Sequence, residues 1–150
     1  MLIDEKPYPF FQGNDGLLYH FDMNRSKWLS VNRETLSFGI NAKNITGNRY
    51  MSTGKLYSNL SGQKLLRDIT ITGISVQTGN LQCSFNVHIH KNGNTDSIYS
   101  VNLFNEASKV VDNINFDAYK DDFIQMSIEN SDIGVSYPEI LVEYSWRTTY

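Results

Sequence analysis

The sequence predicts an all-β fold, an antiparallel two-sheet sandwich of about eight to ten short strands. Three observations lead there. Apolar and polar residues alternate with a period of 2 through most of residues 36–146, the spacing of strands with one face in a core and one in water. Gly, Asn, Ser and Asp cluster between the alternating runs, where turns need positive φ or a local side-chain hydrogen bond. No segment of useful length carries an apolar stripe at helical spacing. Strands this polar on one face do not suit a parallel sheet covered on both sides.

The elements follow in chain order. Residues 1–16 contain Pro7, Pro9, Phe10, Phe11 and Gly13, which break any regular pattern. They read as an N-terminal arm or attachment segment, and residues 17–150 as the sandwich domain. Residues 17–22 and 27–31 are short strand candidates. Leu36, Phe38 and Ile40 alternate with Thr35, Ser37 and Gly39. Within residues 68–78, Ile69 and Ile71 hold one phase and Ile74 and Val76 the other. The switch at Gly73 predicts a bulge or sharp bend. Leu81, Cys83, Phe85, Val87 and Ile89 share one face, with Gln82, Ser84, Asn86, His88 and His90 on the other. Asn92-Gly93 then supplies a tight hairpin turn, and Tyr99, Val101 and Leu103 form the returning strand. Residues 106–111 have the makings of one helical turn. Ile114 and Phe116 are in phase, as are Ile124, Met126 and Ile128. The last strand sets Ile140, Val142, Tyr144 and Trp146 against Leu141, Glu143, Ser145 and Arg147.

Composition narrows the function. The 150-residue chain suits one domain with a single core. Its net charge of −3 gives no global attraction for phosphate backbones or anionic lipid, so no nucleic-acid partner is expected. Charged residues make up 19% and aromatics 13%, which favours folded strands over a disordered polyelectrolyte. Cys83 is the only cysteine, which excludes an intrachain disulfide and a multi-cysteine zinc site. Asp4, Glu5 and Lys6 interrupt the N-terminus, so no signal-peptide core is expected there. No apolar run reaches the length of a membrane span, so no membrane insertion is expected. Synthesis and folding in a cytosol follow as the expectation. The Asn-x-Ser/Thr triplets at Asn24, Asn44 and Asn59 then read as chance occurrences.

No catalytic constellation emerges. His88 and His90, two apart on one strand, project from the same face as metal ligands could. A third ligand is not evident, His20 being remote in sequence, so they read as ordinary polar-face residues and no metal is expected. Cys83 is in phase with Phe85 and Val87 and reads as a small core residue rather than a nucleophile. Asp121 and Asp122 are adjacent and belong in a solvated turn or on opposite strand faces. No phosphate loop, dinucleotide fingerprint or nucleophile elbow occurs. The chain is expected to be no enzyme and to carry no cofactor. Trp28 alternates with Leu29 and Val31. If those two point into the core, Trp28 points out of it and needs a partner: another subunit, the arm with Phe10 and Phe11, or a sugar ring.

Three stretches carry a resemblance. Residues 19–31 read Tyr-His-Phe-Asp-Met-Asn-Arg-Ser-Lys-Trp-Leu-Ser-Val. They resemble a segment of structural proteins of tailed bacteriophages and some large viruses, in which an aromatic-x-Asp stretch leads to Arg-x-Lys-Trp-Leu-Ser. Arg49-Tyr-Met with Asp68-Ile-Thr-Ile-Thr-Gly-Ile-Ser75, and the closing Tyr137-Pro-Glu-Ile-Leu-Val-Glu-Tyr-Ser-Trp-Arg147, resemble the same group. The strand order also resembles the complement globular-head and tumour-necrosis-factor jelly roll. The Gly-Asp pair that often opens the penultimate strand there is Asp121-Asp122 here. The resemblance spans residues 17–147. It implies a jelly-roll domain forming a homotrimer and a non-enzymatic virion structural protein: a head or tail fibre, a decoration protein or a receptor-binding tip. It further implies synthesis in the host cytoplasm, location in the virion, and no cofactor. Other virion proteins would be bound through the N-terminal arm, with Phe10 and Phe11 as attachment candidates, and a host-surface glycan is a further partner to consider. Trp28, Leu141, Tyr144 and Trp146 become the subunit-interface or arm-packing candidates, because the two faces of the last strand leave apolar surface whichever one fills the core. The alternative is a carbohydrate-binding module that recognises a glycan through exposed aromatics.

Overall fold

Alternation along the chain becomes two antiparallel sheets packed face to face. The structure, a computed structural model, describes residues 10–53 and 62–148, with the backbone alone at residues 130–133. Residues 1–9 of the expected arm and the Asn59 triplet lie outside the described residues. The strands are β1 (Phe10–Gln12), β2 (Leu18–Asp22), β3 (Lys27–Ser30), β4 (Glu34–Gly39), β5 (Ile45–Tyr50), β6 (Gln63–Lys64) and β7 (Ile69–Gln77). They continue with β8 (Cys83–Lys91), β9 (Tyr99–Glu106), β10 (Ser108–Val111), β11 (Phe116–Ala118), β12 (Phe123–Val135) and β13 (Glu139–Thr148). The described residues form no helix.

The first sheet runs β4-β13-β7-β10, with β11 collinear with β10 along β7, and β3 following β4 along β13. From β3 it extends through β2 to β1 as a three-stranded meander. The second sheet runs β5-β12-β8-β9, with β6 beside β12. The chain passes from one sheet to the other at β4–β5, β6–β7, β7–β8, β9–β10, β11–β12 and β12–β13. Ile69, Ile71, Ile74, Val76, Ile140 and Val142 face Phe85, Val87, Ile89, Ile124, Met126 and Ile128 in one core. Each such side chain stabilises the fold by about 1.5–3 kcal/mol.

The phase switch in β7 is a bulge. Glu143 of β13 pairs with Gly73, and Tyr144 pairs with Ile71, so Thr72 is the extra residue. This keeps Ile69, Ile71, Ile74 and Val76 all on the core side. A bulge leaves backbone carbonyls outside the ladder, and buried carbonyls need donors. Arg25, in the β2–β3 turn, supplies them. Its Nε donates to the Ile114 carbonyl at 2.7 Å, and its Nη2 reaches the carbonyls of Thr72 (3.3 Å) and Asp112 (3.2 Å). Asp112 and Ile114 lie in the gap between β10 and β11, opposite the bulge. Asp22 aims the guanidinium, accepting from Nη1 at 2.8 Å and from the Arg25 backbone at 3.0 Å. Lys27 adds an ion pair to Asp117 at 2.6 Å, and Thr70 donates to the same carboxylate. The meander is thereby clasped to the first sheet. At the other end of the sandwich Gly134 closes the β12–β5 pairing. A Cβ there would collide with the Asn44 backbone.

Several local expectations need correction. Residues 106–111 hold no helical turn; β10 pairs there with β7, because that edge of β7 needs a ladder partner. Leu81 is 94% exposed; β8 begins only at Cys83, after a bend. Asn92 and Gly93 do take φ of 58° and 77°, but they do not join β8 directly to β9. His90 and Lys91 stay paired with β12 while β9 rejoins β8 at Ile89–Tyr99, so the connecting loop is longer. Leu29 is buried and Val31 is 41% exposed, so the two do not define one core-facing edge. Leu29 pairs with Arg147 and Trp28 with Thr148, which puts Trp28 on the Trp146 side of the sheet. Of residues 1–16, β1 pairs with β2 from Phe10 to Gln12.

Arg25→Ala removes a donor from each of three carbonyls, of which that of Thr72 keeps the Ile114 N–H at 3.2 Å, and it strands the buried Asp22. It is expected to destabilise the fold by about 3 kcal/mol in urea unfolding, with the denaturant slope unchanged. Arg25→Lys, which keeps the charge but not the fork, should recover only part of that. A loss below about 1 kcal/mol for the alanine variant would contradict the clasp.

Candidate functional site

The outer face of the second sheet carries the densest polar constellation. Register places Tyr50, Ser127, His88 and Ser100 in one row across β5, β12, β8 and β9, and Asn48, Glu129, Asn86 and Asn102 in the next. The β8–β9 loop folds back over this face and walls it with Thr95, Asp96 and Ser97. The result is a cleft of about 430 Å³ whose lining also takes in Tyr50 and Asn48 of β5.

Its floor is ordered by the two histidines. The Nδ1 of His90 lies 3.1 Å from the Asn94 carbonyl, which can only accept, so Nδ1 carries the proton. Its Nε2 then accepts from the Ser127 hydroxyl at 2.7 Å. Both contacts suit a neutral ring. His90 is 5% exposed, and burial, reinforced by the neighbouring His88, holds its pKa below the usual 6.5 against backbone hydrogen bonds that pull the other way. The Nε2 of His88 meets Glu129 Oε1 at 3.2 Å and its Nδ1 meets Ser100 Oγ at 2.6 Å. The two rings lie 6.2 Å apart, and the Tyr50 ring packs on His90 at 5.3 Å. Among the described residues, no three His, Cys, Asp or Glu side chains converge as a metal site.

The other singled-out residues sit elsewhere. Cys83 is buried in the core. Asp121 takes φ of 74° in the turn before β12, where the Asp122 carboxylate accepts from the Tyr119 backbone and from Asn92. Trp28 is half-buried, with Phe11 and Phe21 set edge-on to it at 5.0 and 5.4 Å. Phe11 also stacks on Tyr19, whose hydroxyl donates to Asp15 at 2.6 Å. Burial and that carboxylate push the Tyr19 pKa up to about 12. Phe10 lies half-exposed beside His20. Tyr144 is buried and meets the half-buried Trp146 edge-on at 5.2 Å, and Arg67 covers the Trp146 ring while pairing with Asp15. Leu141 is 38% exposed on the outer face of the first sheet, one strand from Val110 across Ser75. The alternation of β8 located the histidines. Tyr50, Glu129 and Asp96 were missed, because only the long-range pairing of β5 and β12 and the fold-back of a loop bring them there.

The buried His90 predicts a pH effect on stability. Between its lowered folded-state pKa and 6.5, the unfolded chain binds a proton that the folded chain does not. Stability therefore rises with pH across that window and is lost as pH falls through it. The carboxylates of Asp22, Asp117 and Glu143 act lower. Burial opposes their ionisation, but Arg25, Lys27 and Arg33 respectively outweigh it and hold them below the ordinary carboxylate range. Their contribution is present above the unfolded carboxylate pKa and fades as pH falls through the folded values. Urea titrations from pH 7.5 to about 5 should show a declining midpoint that flattens in His90→Asn. An equal decline in both proteins would assign the effect elsewhere.

No family model and no curated protein sequence matches the chain. Among solved structures the fold is similar to PRD1 vertex protein P5, with a TM-score of 0.51 and 11% identity over 95% of this chain and 84% of that one. A chain of the acidic stable capsid of Helicobacter pylori bacteriophage KHP30 matches with a TM-score of 0.49 at 11% identity, over 77% of this chain and 89% of that one. A Bacillus endospore appendage chain, from a family of disulfide-linked pili, matches with 0.46 at 8% identity, over 79% and 88%. At such identity the likeness to the vertex protein is one of fold, matched along nearly the whole of this chain.

Proposed function

We propose that this chain is a non-enzymatic structural protein of a bacteriophage particle, a jelly-roll subunit that assembles as a homotrimer. The observation that carries the reading is the fold likeness to a phage vertex protein over 95% of the chain. The strand order supports the jelly roll. β4-β13-β7-β10 faces β5-β12-β8-β9, with the chain alternating between sheets, the arrangement of two interlocked Greek keys. The phage-like stretches at residues 19–31, 68–75 and 137–147 support the viral setting. The location is accordingly the virion. Residues 1–16 are the proposed attachment segment toward other virion proteins, with the half-exposed Phe10 at its described end.

The trimer draws on apolar surface that the monomer leaves in water. Leu141 and the 71% exposed Val110 flank Ser75 on the outer face of the first sheet; Trp28 and Trp146, half-buried on the core-side face at the end of that sheet, can add only their uncovered edges. A closed threefold ring buries the same patch on every copy. Tyr144, already buried, can add little. Association must still outweigh lost rotational and translational freedom, so the interface has to extend beyond these residues.

Light scattering on a size-exclusion column is expected to give about 52 kDa, three times the 17.2 kDa chain. Leu141→Asp should shift that mass toward the monomer with the β-sheet circular dichroism unchanged. A wild-type mass of 17.2 kDa at micromolar concentration would remove the trimer and favour the carbohydrate-binding module.

A further inference from the structure

The outer face of the second sheet has a chemistry that a structural role does not use. We infer that the cleft between Tyr50 and the β8–β9 loop is a binding site for a neutral saccharide. The inference goes beyond the reading of the chain as a virion structural protein and rests on that reading only for its biological setting.

Size and lining come first. A cleft of about 430 Å³ lies within the roughly 300–1,000 Å³ of small-ligand sites. Every residue of its lining carries a polar side chain, and the rings of Tyr50, His88 and His90 and the stems of the others supply apolar surface between the polar groups. A protein partner would want an apolar centre depleted in charge, and this face offers the reverse. A sugar hydroxyl both donates and accepts, so its site needs groups of each kind. Glu129 and Asp96 can only accept, and the Asn48 amide and the hydroxyls of Ser97 and Thr95 offer both a donor and an acceptor. Two carboxylates line the cleft, whereas Arg49 pairs with the core-facing Ile128 and so belongs to the other face of its strand. A phosphate, a sulfate or an acidic sugar would meet net repulsion there, and a neutral ring would not.

Order and stacking come next. His88 is held between Ser100 and Glu129, so that the Glu129 carboxylate is already aimed before any ligand arrives. His90 is fixed at both nitrogens and props the Tyr50 ring, tilted 48° to its own. Side chains positioned in advance lose little entropy on binding. Tyr50, half-buried on an edge strand, then presents an apolar ring face beside these polar groups, the combination that takes the C–H face of a pyranose while its hydroxyls are hydrogen-bonded.

The test uses the full chain. A printed array of neutral, sialylated and sulfated oligosaccharides selects a neutral oligosaccharide, which is then titrated while the imidazole resonances of the three histidines are followed by NMR. The expected result is a saturable shift of His88 and His90, with His20 unmoved. Tyr50→Ala should weaken the dissociation constant about tenfold or more. The near-isosteric Glu129→Gln should also weaken it, and Leu141→Ser, on the opposite sheet, should leave it unchanged. No neutral oligosaccharide bound at millimolar concentration, a preference for acidic glycans, or binding indifferent to Tyr50→Ala would each overturn the site. Mass spectrometry of purified particles separates the two readings. A chain present in particles but blind to neutral saccharides sinks the site alone. A chain that binds them but is absent from particles sinks the virion reading.

Discussion

The bulge at Thr72–Gly73 is the constraint on which the rest of the structure depends. β7 lies between β13 on one edge and β10 with β11 on the other, so any irregularity in it is felt on both sides. Without the extra residue, either Ile69 and Ile71 or Ile74 and Val76 would face outward, since a one-residue slip moves every side chain to the other face. The bulge keeps all four inside and in return breaks the ladder beside Asp112 and Ile114. Arg25 answers that break with a single planar group reaching three carbonyls. A surface turn between two short strands thus becomes part of the sandwich, and the meander of β1 to β3 is placed by the electrostatic demand of a strand far away in sequence.

That arrangement divides the outer surfaces. On the first sheet, the end carrying Thr70, Ser145 and Arg147 is closed by Leu29, Lys27 and Asp117, whereas the stretch holding Ser37, Leu141, Ser75 and Val110 stays open. Among the described residues, the second sheet has no such covering strand. Its outer face keeps the polar half of each alternating strand, and the β8–β9 loop turns part of it into a cleft. One open surface sets the exposed Leu141 and Val110 among serines, the apolar pair that the proposed association would cover. The other is polar and suited to a small hydroxylated ligand.

Much of this was legible in the sequence, and the failures have physical causes. The alternations in β8, β12 and β13 each bury one face continuously, so period alone located them, and the switch at Gly73 marked the bulge because two in-phase pairs could not share one regular strand. Leu81 was misplaced because an alternating pattern does not say where a bend begins. β10 was misread because an edge strand with Val110 in water has no burial pattern to display. Arg25, Asp117 and the Tyr50–Glu129 side of the cleft were invisible. They are joined by contacts that span most of the chain, and a single charged or aromatic residue in a loop or edge strand carries no periodic signal.

The virion role is tested most directly by electron cryomicroscopy of a particle that contains this protein. The expected density is an exposed, threefold-related set of two-sheet subunits. In each, the outer face of the β4-β13-β7-β10 sheet turns toward the neighbouring copies, and the β1 end points toward the particle body. Isolated single copies, or density for this chain only in the particle interior, would contradict it.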